Sequence, residues 1–199
     1  MDYVYFCALI TKEITVMMKK IVFLSLLFLM ALAGRAQDEA LYPQDLMEKL
    51  MSAYLSADDV TSPTVDILNK PMGGRVMELS SDDIFMFVLT MPQDGWWKIL
   101  EIWTAEDDEP VSMTGSDTGE YWIHYSNLGI GTRNYGGQCL TLRTAPDEDA
   151  DIVYSFTQEL ELMPLDIQGD WVQVKVDGYD IIGWIEAEWL CSNPLTNCC

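Results

Sequence analysis

The sequence predicts a mainly β chain: two small antiparallel barrels in tandem, preceded by one amphipathic α-helix. An internal repeat is the first observation. Pro71 precedes Trp96 by 25 residues, and Pro146 precedes Trp171 by the same 25. In that ungapped register Phe85 and Phe87 fall on Leu160 and Leu162, and Ile99 falls on Val174. Farther on, Trp122, Ile123 and Leu128 match Trp184, Ile185 and Leu190, with Trp and Leu six apart both times. A period of 75 residues is too long for a solenoid and suits two small domains. The second observation is short alternating apolar runs, and the third is the turn-forming clusters between them.

The elements follow in chain order. Met18-Lys19-Lys20 gives a positive start, and Ile21 to Leu32 is apolar apart from Ser25. Ala33, Gly34 and Ala36 supply small residues around a cleavage position, so 1–36 reads as a signal peptide cut after Ala36, with 1–17 an upstream extension. The apolar run is too short to span a bilayer comfortably, which takes roughly 20 residues. Segment 37–60 reads as the helix. Met47, Leu50, Met51, Tyr54 and Leu55 recur at three-and-four spacing, Pro43 suits a first turn, and Asp45 and Glu48 suit the positive end of a helix dipole. The stripe suits a cover over a barrel end or a partner-binding face.

Residues 61–135 form the first expected barrel. Val65 and Ile67 flank Asp66, Phe85 and Phe87 flank Met86, and Trp97 and Ile99 flank Lys98. Turns fall at Pro71–Gly74, Pro92–Gly95 and Gly129–Gly131. Trp96 to Trp122 spans 26 residues against 13 from Trp171 to Trp184, so this copy carries an acidic insertion around Glu106–Glu109 and Gly115–Gly119. Residues 136–199 form the second, opening after Gly136-Gly137. Val172, Val174 and Val176 alternate with Trp171, Gln173 and Lys175, and Asp177-Gly178 is a tight-turn pair.

Without 1–36 the chain keeps 7 of its 11 basic residues and 30 of its 32 acidic ones, a net charge of −23. That charge repels phosphate backbones and anionic lipid, so nucleic acid is excluded as a partner and no membrane insertion is expected after cleavage. Cys139, Cys191, Cys198 and Cys199 follow the leader, and an exported chain meets an oxidising space. Cys191 with Cys198 closes a short loop around Asn193-Pro194, and Cys139 with Cys191 is the competing pair. One histidine and no Cys-x-x-Cys argue against zinc.

In the second copy, Leu142-Arg143-Thr144-Ala145-Pro146, Gly169-Asp170-Trp171 with Val174, and Gly183-Trp184-Ile185 stand in the order of three signatures of bacterial SH3-like (SH3b) domains. Residues 139–191 resemble that family. The first copy resembles it less: Ile67–Pro71 lacks the Arg, Asp94–Ile99 fits, and Tyr121-Trp122-Ile123 lacks the Gly. The resemblance implies five-to-six-stranded barrels and a noncatalytic binding module of the bacterial envelope, periplasmic or secreted, directed to peptidoglycan or peptide.

Catalysis finds little support. His124 is the sole histidine and lies on an expected strand, and no Gly-x-Ser-x-Gly elbow exists. The chain therefore reads as no enzyme, with no cofactor and no metal. Asp147, Asp149 and Asp151 have the spacing that opens a calcium loop but lack its glycine and its closing glutamate. Aromatic residues make the best candidates. Trp171 shares the outward phase of Gln173 and Lys175, Trp96 holds the same slot beside Lys98, and such indoles make stacking platforms for a peptide or sugar. The resemblance places Trp96 in the ligand groove. The candidate set is Trp96, Trp97, Tyr154, Trp171 and Tyr179, with burial against the other repeat or the helix as the competing role. A partner protein of the envelope, held by the acidic insertion and the helix stripe, is the alternative function.

Overall fold

In the computed structural model, residues 49–56 and 63–196 are described, apart from the Met91 side chain. The expected signal peptide and most of segment 37–60 lie outside them. The first strands are β1 (Met51–Leu55), β2 (Thr64–Leu68), β3 (Arg75–Ser80), β4 (Phe85–Gln93) and β5 (Trp96–Thr104). Then come β6 (Glu109–Pro110), β7 (Trp122–His124), a 3-10 helix at Tyr125–Asn127, and β8 (Leu128–Thr132). The second half runs through β9 (Leu140–Arg143), β10 (Ile152–Phe156), β11 (Glu161–Gln168), β12 (Trp171–Val176) and β13 (Ile182–Glu186). A 3-10 helix at Ala187–Trp189 and β14 (Leu190–Cys191) complete it. The protein is mainly β.

The pairing repeats. The first half orders its strands β8-β1-β4-β5-β7-β2-β3, and the second orders them β14-β8-β11-β12-β13-β9-β10. Matching backbone bonds come just before the last strand of each: Ser56 donates to the Asn127 carbonyl (3.1 Å), and Arg133 donates to the Trp189 carbonyl (2.9 Å). β8 therefore has two jobs. It pairs with β1 through Leu128 and Gly129, and with β11 and β14 through Ile130, Gly131 and Thr132. Through β8 the ladder becomes one open antiparallel sheet, with β3 and β10 at its ends, in place of two separately closed barrels.

The expected helix is corrected where it is described. Met51, Tyr54 and Leu55 belong to β1, which pairs with β4 in the register Met51↔Leu89 to Tyr54↔Met86. A short apolar run fits either period, and two neighbouring strands with open edges decide for the extended form. Met51, Ala53 and Leu55 are buried and Ser52 is exposed.

Elsewhere the alternation holds. Val172, Val174 and Val176 are buried, as are Phe85, Phe87, Trp97 and Ile99, while Trp96, Lys98, Trp171, Gln173 and Lys175 are half-buried. One apolar core runs through both halves. Polar bonds pin the junction. Asn134, buried, accepts from Thr132 Oγ1 (2.9 Å) and donates to the Gln158 carbonyl (3.0 Å). Tyr54 donates to Glu161 Oε2 across β8 (2.9 Å), and Ser56 donates to Glu161 Oε1. Gly129 makes the passage possible, because a Cβ there would stand 2.4 Å from the Tyr54 ring and 2.7 Å from that carboxylate.

Candidate functional site

Trp96 and Trp171 each begin a strand immediately after a turn that needs positive φ. Asp94 and Gly95 take φ of 49° and 83°, and Gly169 takes 57°. Each indole stands opposite the last residue of the neighbouring strand, Trp96 opposite His124 on β7 and Trp171 opposite Glu186 on β13. The two slots therefore correspond, but their neighbours differ.

In the first half aromatic rings meet at the slot. The Trp96 and His124 rings meet edge-on with centroids 5.0 Å apart, and Tyr125 lies 4.5 Å from His124. His124 Nδ1 accepts from the Ser126 backbone N–H (3.4 Å) and lies 2.8 Å from Ser126 Oγ. Burial holds its pKa below the ordinary histidine value, because the charged ring loses hydration there. Close by, the Lys98 ammonium donates to Glu120 at 2.7 Å and, with the Trp122 indole, lowers the Glu120 pKa.

In the second half the same slot opens onto a cavity of about 120 Å³. Trp171 lines it with Cys139, Leu140, Thr141, Arg143, Glu148, Ile185, Glu186 and Trp189. β9 brings Arg143, the following turn brings Glu148, and the 3-10 helix after β13 brings Trp189. Trp189 Nε1 donates to Glu186 Oε2 (3.2 Å), and Arg143 Nη1 donates to the Ala150 carbonyl (2.8 Å), so both long side chains are held in place. Two indoles, one guanidinium and two carboxylates thus share one small space. Such a set can stack a flat apolar group while pairing with a carboxylate and an amine. Trp189 and Glu148 escape a repeat-based reading, since the matching positions in the first copy hold Asn127 and Gly73.

The other sequence candidates do not join this site. Trp97 is 0% exposed, and its indole donates to the Pro164 carbonyl on β11 (2.9 Å), so it is a core residue joining the halves. It is removed from the ligand-binding set: it shares the inward phase of Ile99 and has no face to offer. Tyr154 stacks on Phe156 with centroids 5.7 Å apart. Tyr179 is exposed in the turn beyond the far end of β12 from Trp171. Neither lines the cavity.

Cys139 is free and exposed at the cavity rim, which removes the Cys139–Cys191 pairing. Cys191 is disulfide-bonded, and its expected partner Cys198 lies outside the described residues. In the acidic turn after Pro146, Asp147 Oδ1 accepts from the Asp149 backbone N–H (2.9 Å) and so serves its own turn. Among the described residues no three His, Cys, Asp or Glu side chains converge as a metal site, and no helix is long and apolar enough to cross a membrane.

No family model and no curated protein matches the chain. Among solved structures it is similar to NlpC2 from Trichomonas vaginalis, at 15% identity and a TM-score of 0.28, over 72% of this chain and 48% of that one. NlpC1 from the same organism matches at 16% identity and a TM-score of 0.27, over 71% of this chain and 45% of that one. The chain thus spans about half the length of these structures, and likeness at this level adds nothing to the functional reading.

Proposed function

We propose that the chain is a noncatalytic binding protein of the bacterial cell envelope, periplasmic or secreted, built from two SH3-like modules that share β8. Its ligand is a peptide or a peptidoglycan fragment, and the Trp171 cavity receives it. One observation carries this reading: two indoles, Arg143, Glu148 and Glu186 line a single cavity. A free peptide C-terminus supplies a carboxylate for Arg143, an amine on the ligand suits Glu148 or Glu186, and an apolar side chain or sugar face suits the indoles. The acidic surface favours neutral or cationic ligands over polyanions.

The Trp96 slot, already filled by His124, is a structural counterpart without a ligand. The alternative partner, another envelope protein, is favoured by the exposed acidic turn Glu106–Glu109. Purified cell-wall sacculi, incubated with the protein and sedimented, test the reading. Trp171→Ala is expected to lower retention at least tenfold while Trp96→Ala leaves it within twofold. Equal retention of both variants refutes the cavity as the site. Release of soluble wall fragments in the presence of chelator and thiol blocker refutes the noncatalytic assignment.

A further inference from the structure

The two ends of the sheet are equivalent by repeat but unequal in cover. β3 ends the first half and β10 ends the second, and among the described residues each is paired on one side only, β3 with β2 and β10 with β9. In the first half the insertion between β5 and β7 lies against that end. Val111 and Met113 pack on the core together with Val76 and Met77. Gly115, at φ 97°, comes so close that a Cβ would stand 2.7 Å from the Val76 carbonyl oxygen. Arg75 also blunts this edge, paired with Glu78 and Asp66.

The second half lacks the insertion. Ile152, which matches half-buried Met77 in the repeat, is 55% exposed, and Val153 is 43% exposed. On β13, Ile182 next to Gly183 is 50% exposed, and Tyr179 in the turn before it is 61% exposed. Val153 reaches across to β13, where its Cγ2 would stand 2.8 Å from a Cβ at Gly183. No charged residue lies on β10 itself. Acidic residues outnumber basic ones around it: Asp147, Glu148, Asp149 and Asp151 lead into the strand and Asp177 and Asp180 flank Tyr179, while Arg143 stands opposite Ile152 with its guanidinium on the Ala150 carbonyl and Lys175 lies 3.8 Å from Asp180. From 144 to 160 and from 176 to 190 the chain has no Lys or Arg.

We propose that the free edge of β10 accepts an extended segment of a partner chain, apolar and cationic at alternating positions, by strand addition. The segment takes the place that the insertion takes in the first half. Backbone bonds to the edge supply the binding, the apolar residues cover Ile152, Val153 and Ile182, and the cationic ones meet the acidic rim. This surface adjoins the Trp171 cavity through Arg143 and Glu148 but is centred on the β10 edge, and it goes beyond the function proposed for the cavity.

A synthetic octapeptide of alternating lysine and valine is the probe, titrated into the protein at 0.15 M salt with amide hydrogen exchange recorded alongside. Binding is expected to slow exchange across 152–156 and to weaken at least tenfold with Val153→Lys or Ile182→Lys, both folded by circular dichroism. Full N-methylation of the peptide amides is expected to abolish it, and Trp171→Ala to leave it unchanged. Equal affinity for an octapeptide of alternating lysine and glycine would overturn the proposal, because diffuse charge attraction would then suffice. So would protection confined to other strands. A dimer of the protein dissolved by Val153→Lys would also overturn it, assigning the edge to a second copy.

Discussion

The two halves of this sheet share a strand order and differ in where their aromatic residues face. At the slot after Trp96 the first half has Trp97, fully buried and bonded to Pro164 of the other half. The second half has Val172 at that slot. Opposite Trp96 stands His124, packed edge-on against it, whereas opposite Trp171 stands Glu186, turned toward Trp189. The first half uses its aromatic groups for packing, and the second leaves its own around a cavity. A duplicated frame therefore separates two tasks, with one copy holding the structure together and the other keeping a space open.

The largest effect expected from that difference comes at the buried pair. Trp97→Ala removes a fully buried indole and leaves the Pro164 carbonyl without its donor, at a cost of about 4–5 kcal/mol. Val172→Ala at the matching position removes two methyl groups and costs about 2 kcal/mol. Denaturant unfolding of both variants measures the gap. Equal losses would mean that Trp97 does not join the halves. Trp97→Phe refines the result, keeping most of the packing and losing the bond, for about 1–2 kcal/mol.

The shared strand offers the next test, because β8 contains two glycines that pair with different halves, Gly129 with β1 and Gly131 with β11 and β14. At Gly129 a methyl group would collide with Tyr54 and Glu161, so Gly129→Ala is expected to cost about 1–3 kcal/mol. At Gly131 the nearest atom to an added Cβ is the Cys191 carbonyl oxygen, 3.7 Å away, an ordinary contact. Gly131→Ala is therefore expected to be neutral or stabilising by up to about 1 kcal/mol, through the lower entropy of the unfolded chain. Unfolding midpoints at constant denaturant sensitivity decide it. Equal effects would mean that the β1–β8–β11 crossing is not tight.

These residues also show what could be read from the sequence. The strands announced themselves where one face is core and the other is wet, as in Val172, Val174 and Val176. The tight turns did so through the residues that tolerate positive φ, Asp94-Gly95 and Gly178. β1 was misread as helix because its five residues satisfy both periods and only the neighbouring edges of β4 and β8 choose between them. The phase of the first copy put Trp96 outward and Trp97 inward beside Ile99. Placing Trp97 in a ligand set went against that phase, and the buried bond to Pro164 shows which to follow. The cavity was not legible. It gathers β9, the turn at Glu148, Trp171 and the 3-10 residue Trp189, and no local pattern encodes that meeting. The sharing of β8 was hidden for the same reason, since pairing partners are long-range facts.

The smallest effect concerns the residue that fills the first slot. In folded His124 burial disfavours the charged ring, and its Nδ1 accepts the Ser126 N–H, an arrangement that a proton on Nδ1 would break. The unfolded chain keeps an ordinary histidine pKa of about 6.5, so in the window below that value it binds more protons than the folded protein does. The contribution of His124 is therefore complete above about pH 6.5 and declines as pH falls through and below that region. The many carboxylates also respond to acid, so the quantity to measure is the stability difference between wild type and His124→Gln. That difference should favour wild type most near pH 8 and shrink toward pH 5. A difference that is flat over this range would mean that folding leaves the ring's proton affinity unchanged, and one that grows on acidification would mean that the folded state favours the charged ring. The Trp96 slot would then resemble the ionic Trp171 slot after all, and the division of tasks between the halves would rest on Trp97 alone.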